Sequence, residues 1–123
     1  MNEQAGLSFT FYLLIFSCLR LSLVQADEID IDYSRDIVPI FAKHCYQCHG
    51  SDKTTRQANL RLDELTPMVQ ASEPKVLIRP GSLEASHLWQ RITAKDERRM
   101  PPPNHAEALT PTQQSLIRDW ILT

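Results

Sequence analysis

Within five residues, Cys45-Tyr46-Gln47-Cys48-His49, the chain places two thiols and an imidazole. No other feature narrows the fold as much, because C-x-x-C-H is the spacing at which a c-type haem is attached. Two thiols with two residues between them can each join one vinyl group of a porphyrin. The adjacent histidine then offers an axial nitrogen to the iron. The chain has 123 residues, enough for one small domain. Its elements would have to wrap a flat apolar cofactor, since a chain this short builds only a thin core of its own.

Other uses of the same residues are weighed against this. A thioredoxin-like redox pair needs a βαβ setting, and the sequence offers almost no strand pattern. A zinc site could recruit His44, Cys45, Cys48 and His49 with His87 or His105, but zinc sites usually add a second close ligand pair. A Cys45–Cys48 disulfide would close a very short loop and so stabilise little.

The segment Leu7–Cys18, extended beyond Arg20 by Leu21–Val24, is apolar, and Val24-Gln25-Ala26 resembles a small-residue cleavage site. It lacks the usual basic residue ahead of the apolar run. Arg20 leaves that run shorter than the ~20 residues a membrane span requires. We therefore read residues 1–26 as a signal peptide and 27–123 as the mature domain, placed outside the cytoplasm in a periplasmic or equivalent compartment and no integral membrane protein after cleavage. Cleavage removes Cys18, leaving Cys45 and Cys48, and it takes away Glu3 and Arg20, so the net charge stays at −2. That balance excludes a strong basic footprint for nucleic acid.

Along the mature chain the pattern is all-α with long loops. Ile37, Ile40, Phe41 and His44 recur at helical spacing and predict a helix running from Tyr33 into Cys45. Ser34 is its expected cap, and Pro39 is expected to kink or tighten its first turns. Gly50-Ser51-Asp52 ends the motif as a turn. Leu60 and Leu62 are expected to pin the following loop to the core, and a short helical turn is expected near residues 64–71. A second helix is expected over Ser82–Ile92, capped by Ser82, with Ala85, Leu88, Trp89 and Ile92 on its apolar face. Thr110-Pro111-Thr112-Gln113 combines a cap, a proline at the first helical position and a capping box. The last helix follows, with Leu116, Ile117, Trp120 and Ile121 as its buried stripe.

A haem has a second axial position. Met100 is the leading candidate, in a loop between two helices and followed by three prolines; His105 is the second. Arg98 and Arg99 are candidates for the haem propionates, because guanidinium groups pair well with carboxylates.

Taken in order, several stretches carry a resemblance. They are Asp36–Phe41, His44–Gly50, Ala58–Asp63, Pro80–Ser86, Arg91-Ile92, Arg99–Pro102 and Leu109-Thr110 with Trp120-Ile121. This set resembles the planctomycete-type cytochrome c domain, a branch of the class I c-type cytochromes. The resemblance implies a small cytochrome c-like fold, with N- and C-terminal helices packed around one covalently bound haem c. It implies thioether links at Cys45 and Cys48, His49 as proximal ligand and Met100 as distal ligand. The expected function is a monohaem single-electron carrier, not an enzyme, that exchanges electrons with redox partner proteins. A dehydrogenase, or separate downstream domains, is a candidate partner. In that family the domain usually heads a longer chain, so an ending at Thr123 suggests a free-standing carrier or a truncated product. Two alternatives stay open. Without Met100 as ligand, a five-coordinate haem could react with peroxide or a diatomic gas and show weak peroxidase-like activity. Without haem, zinc or a disulfide would leave a non-redox interaction module.

Overall fold

The computed structural model describes residues 30–70 and 76–123, so the signal-peptide reading and Cys18 lie outside the described residues. A π-helical turn, Tyr33–Ile37, leads into α1 (Val38–His44) and the short α2 (Tyr46–His49). Then come α3 (Leu65–Gln70), α4 (His87–Thr93) and α5 (Pro111–Leu122). The described residues form no strand beyond a single bridge between Arg79 and Ser82. The all-α expectation holds for them. No described helix is long and apolar enough to cross a membrane.

The entry to the first helix differs from expectation in two ways. Asp32, not Ser34, is the cap. Its carboxylate accepts the Arg35 N–H at 2.6 Å, and the Asp36 carboxylate reaches back to accept the Asp32 N–H at 2.9 Å. A carboxylate at this position satisfies orphan donors and also complements the positive helix start. The first turn is widened rather than tightened: the Val38 N–H donates to the Tyr33 carbonyl, five residues back. Pro39 supplies the reason, since its ring crowds the carbonyl four residues earlier and its nitrogen has no hydrogen to donate.

The helices at the two ends of the described residues pack together. Tyr33 stacks on Trp120 at 5.3 Å between ring centroids, and Phe41 meets the same indole edge-on at 6.0 Å. Ile37, Phe41, Ile117 and Ile121 are buried beneath these rings. Of the stripe expected on α5, Ile117 and Ile121 are buried, while Leu116 and Trp120 pack half-buried against the core. The capping box of α5 forms as expected: Thr110 Oγ1 accepts the Gln113 N–H at 3.2 Å and Gln113 Oε1 accepts the Thr110 N–H at 2.9 Å.

The helix expected over Ser82–Ile92 is shorter, starting at His87. The Ser82 hydroxyl accepts a local bond from the Ala85 N–H at 3.3 Å, and Glu84 and Ala85 are exposed outside the helix. The residues ahead of His87 are used by a tight turn. The fully buried Ser86 hydroxyl accepts the Arg79 N–H at 2.9 Å and donates to the Ser82 carbonyl at 2.6 Å. Gly81 takes φ 77°, a left-handed value that suits glycine, and its N–H donates to the Ile121 carbonyl at 2.7 Å. This turn is therefore fastened to α5. Leu88 and Ile92 are buried and Trp89 half-buried, so the later part of the expected apolar face is real. The helical turn near residue 64 is α3, whose Met68 is the methionine of the core, 1% exposed. Ala71, at the end of the expected span, lies outside the described residues.

Candidate functional site

Helix α1 delivers the motif. The Phe41 carbonyl accepts the Cys45 N–H at 2.8 Å, and the Cys45 carbonyl accepts the His49 N–H at 2.8 Å and the Cys48 N–H at 3.1 Å. Cys45 and Cys48 thus lie on one turn, and residues three apart on a turn are neighbours on the same side. Both thiols are free and half-buried. Burial, with the neighbouring Cys48 second, pushes the Cys45 thiol up to about 12, so it stays protonated in the absence of a reaction partner.

Two devices close the far end of the turn. Gly50 is buried, and a Cβ there would run into the Tyr46 carbonyl oxygen, so this position demands glycine through close approach. Arg56, which the sequence analysis did not single out, donates to the Gly50 carbonyl at 3.0 Å and to the Ser51 carbonyl at 2.8 Å. It gathers the carbonyls that a helix end leaves unpaired.

The His49 ring is oriented by a second such residue, Gln57. His49 Nδ1 lies 3.3 Å from the Gln57 carbonyl oxygen. A carbonyl has no proton, so Nδ1–H donates and the lone pair of the neutral imidazole sits on Nε2. Burial lowers the His49 pKa, opposed by this bond. A neutral ring with Nε2 free is the ligand form. No side-chain signal announced Gln57, because its backbone does the work.

Met100 belongs to a different segment. It is half-buried, and its N–H donates to the Arg91 carbonyl of α4 at 2.9 Å. Helix α4 is in turn held to α5, where Gln114 Nε2 donates to the Ile92 carbonyl at 3.4 Å. His105, the second candidate, is exposed in the loop after the prolines. The two arginines separate clearly. Arg98 is exposed and paired with the Asp96 carboxylate at 2.7 Å. Arg99 is half-buried, and its Nη1 is buried without a hydrogen-bond partner. A buried donor left unpaired ordinarily costs about 1–3 kcal/mol, so this nitrogen suits an acceptor, best of all an anionic one. Among the described residues no three His, Cys, Asp or Glu side chains gather as a metal site. His44 takes no part in one. Its Nε2 accepts from Gln113 Nε2 at 3.1 Å.

Residues 45–104 match the family model described as Planctomycete cytochrome C. These residues form a planctomycete-type cytochrome c domain. The span opens at Cys45 and closes just beyond Met100 and its prolines, taking in both segments just described; α1 and α5 lie outside it. Searches of curated proteins and of solved structures returned no match. Cytochrome c domains bind haem c and transfer electrons, and the donor set here fits that cofactor. Two free thiols share one turn, the imidazole tautomer is fixed with Nε2 open, and a buried guanidinium nitrogen lacks an acceptor.

The His44–Gln113 contact, which flanks the matched span, is expected to make the fold acid-sensitive. The capping box fixes the Gln113 amide, so its Nε2 donates and His44 must present a lone pair. Burial, then Lys43, lowers the His44 pKa, with Glu107 opposing. The folded chain therefore binds fewer protons here than the unfolded one. The stability from this group is complete above the ordinary imidazole value and is lost as pH falls through it toward the lower folded value. The bond is worth about 1 kcal/mol. Replacing His44→Gln is expected to flatten the fall in melting temperature between about pH 7 and 5. An identical slope in both proteins would remove His44 from the account.

Proposed function

We propose that the chain is a monohaem c-type cytochrome that carries single electrons outside the cytoplasm between redox partner proteins. Cys45 and Cys48 hold the haem by thioether links and His49 Nε2 is the proximal ligand. Met100 is the distal ligand, and Arg99 rather than Arg98 receives a propionate. The haem supplies one-electron exchange between Fe(III) and Fe(II). The chain's own residues would hold the iron through His49 and Met100, with the His49 ring fixed by the Gln57 carbonyl, so that little would rearrange when the electron moves. The observation that carries this reading is the His49–Gln57 bond. It leaves Nε2 as the open nitrogen on the same turn as two unpaired thiols. Residues 27–123 are the mature domain in this proposal, and the export reading of residues 1–26 sets the compartment.

Co-expression of the full chain with c-haem maturation factors is the test. Haem that survives denaturation and acid-acetone extraction is expected, and its absence would overturn the proposal. A thioether ligand adds a far-red band to the spectrum of the oxidised protein, and Met100→Ala is expected to abolish it. An unchanged band would transfer the distal role away from Met100, with His105→Ala as the next variant to measure.

A further inference from the structure

Tyr46, the residue after the first cysteine of the motif, packs half-buried against the core. Its phenol is hydrogen-bonded to the phenol of Tyr33. Burial, then Tyr46, then the Asp63 carboxylate push the Tyr33 pKa up to about 12. Burial raises Tyr46 as well, but there the Tyr33 bond opposes it. Tyr33 is therefore the donor and Tyr46 the acceptor, and both phenols stay protonated near neutral pH. The next ring follows directly: Tyr33 stacks on Trp120 at 5.3 Å between centroids, with 28° between the ring planes. Trp120 is half-buried, so part of the indole is open to solvent. Packing explains three aromatic rings in a row. It does not explain two hydroxyls, since phenylalanine would fill the same space with no polar group to satisfy.

We propose that Trp120, Tyr33 and Tyr46 form a relay that draws one-electron oxidising equivalents from the surface to the attachment turn. The co-reactant is a one-electron oxidant, in solution or on a docked redox partner, strong enough to oxidise indole. It takes one electron from Trp120, is itself reduced and leaves the indole radical cation. That cation oxidises a phenol at neutral pH, so Tyr33 returns the electron to Trp120. The Tyr33 proton passes along the hydrogen bond to the Tyr46 oxygen, while Tyr46 gives its own proton to water. Tyr33 is then a neutral phenoxyl radical. A hydrogen atom crosses back from Tyr46 to the Tyr33 oxygen, breaking one O–H bond and forming another. The sum is one electron to the oxidant and one proton to water, both drawn from Tyr46. Phe41 also touches Trp120, but its phenyl ring is too hard to oxidise to take part. The relay rests on the three rings alone; delivery of the equivalent to a haem rests on the reading above.

The test uses the full chain, in the ferric haem-loaded form, or haem-free if none attaches. Tyr12→Phe is built into every sample, so that Tyr33 and Tyr46 are the remaining tyrosines. Photogenerated ruthenium(III) tris-bipyridine is the oxidant, and freeze-quench electron paramagnetic resonance reads the radical. A tyrosyl signal is expected with Tyr33 and Tyr46 in place. Tyr33→Phe keeps the stack and removes the phenol; the tyrosyl signal is expected to be lost and a tryptophanyl radical to persist. Trp120→Phe is expected to lose the tyrosyl signal too, while Trp89→Phe keeps it. In Tyr46→Phe the radical is expected to stop at Tyr33, with a different β-methylene splitting. No tyrosyl signal with all three rings present would overturn the inference, even if a variant failed to fold. So would an undiminished signal in Tyr33→Phe or Trp120→Phe, or an unchanged splitting in Tyr46→Phe. If no haem attaches, the proposed function fails while the radical measurement still decides the relay.

Discussion

A chain in which Cys45 and Cys48 are both replaced by alanine will emerge from co-expression with maturation factors carrying no covalent haem. This is the largest effect expected of any variant, because it is a complete loss. The two thiols lie on one turn, and no other cysteine is found among the described residues. With both gone, only dative bonds from His49 and Met100 would remain, and acid-acetone extraction breaks these. Each single replacement keeps one thioether, so Cys45→Ala and Cys48→Ala are expected to retain haem on a denaturing gel. Their pyridine adduct should absorb to the red of the native one, since one vinyl group stays conjugated. Haem that stays bound in the double variant after extraction would place the attachment elsewhere.

Phe41→Ala is expected to be the most damaging change to the fold. Phe41 is fully buried, meets Trp120 edge-on and is the largest side chain of the core with no exposure. Truncating such a residue typically costs about 3–5 kcal/mol, a large part of the roughly 5–15 kcal/mol that holds a domain folded. Melting temperature moves by about 4–8 °C per kcal/mol in a domain of this size, so a fall of more than about 10 °C is expected. The damage should reach the site, because the Phe41 carbonyl holds the Cys45 N–H. Thermal unfolding of the haem-loaded variant measures it. A fall of only a degree or two would mean that the α1–α5 contact contributes little.

Local chemistry was readable before the structure. Thr110-Pro111-Thr112-Gln113 announced the start of α5 because every participant in that cap lies within four residues. The thiols and imidazole of the motif were legible for the same reason. Where partners are distant, or where backbone does the work, the pattern misled or stayed silent. Ser82 looked like a cap, but the buried Ser86 hydroxyl binds Arg79 and Ser82 together and delays the helix to His87. Ser34 lost its expected role to Asp32, since a carboxylate there can share the first turn with Asp36. Arg98 and Arg99 could not be told apart in sequence, and the Asp96 carboxylate separates them by engaging only the first. The Gln57 carbonyl and the Arg56 clamp gave no signal, as neither depends on a recognisable motif.

Gln113 has a consequence for how the molecule assembles. Its amide oxygen closes the first turn of α5, while its amide nitrogen reaches His44, 69 residues earlier in the chain. One side chain thus serves both the nucleation of a helix and its docking onto a distant partner. Neither event gains the full benefit without the other, so the first helix and the last should condense in a single cooperative step rather than one after the other. Amide exchange at Gln113 and at Cys45, the two ends of this coupling, is then expected to slow together as the chain folds.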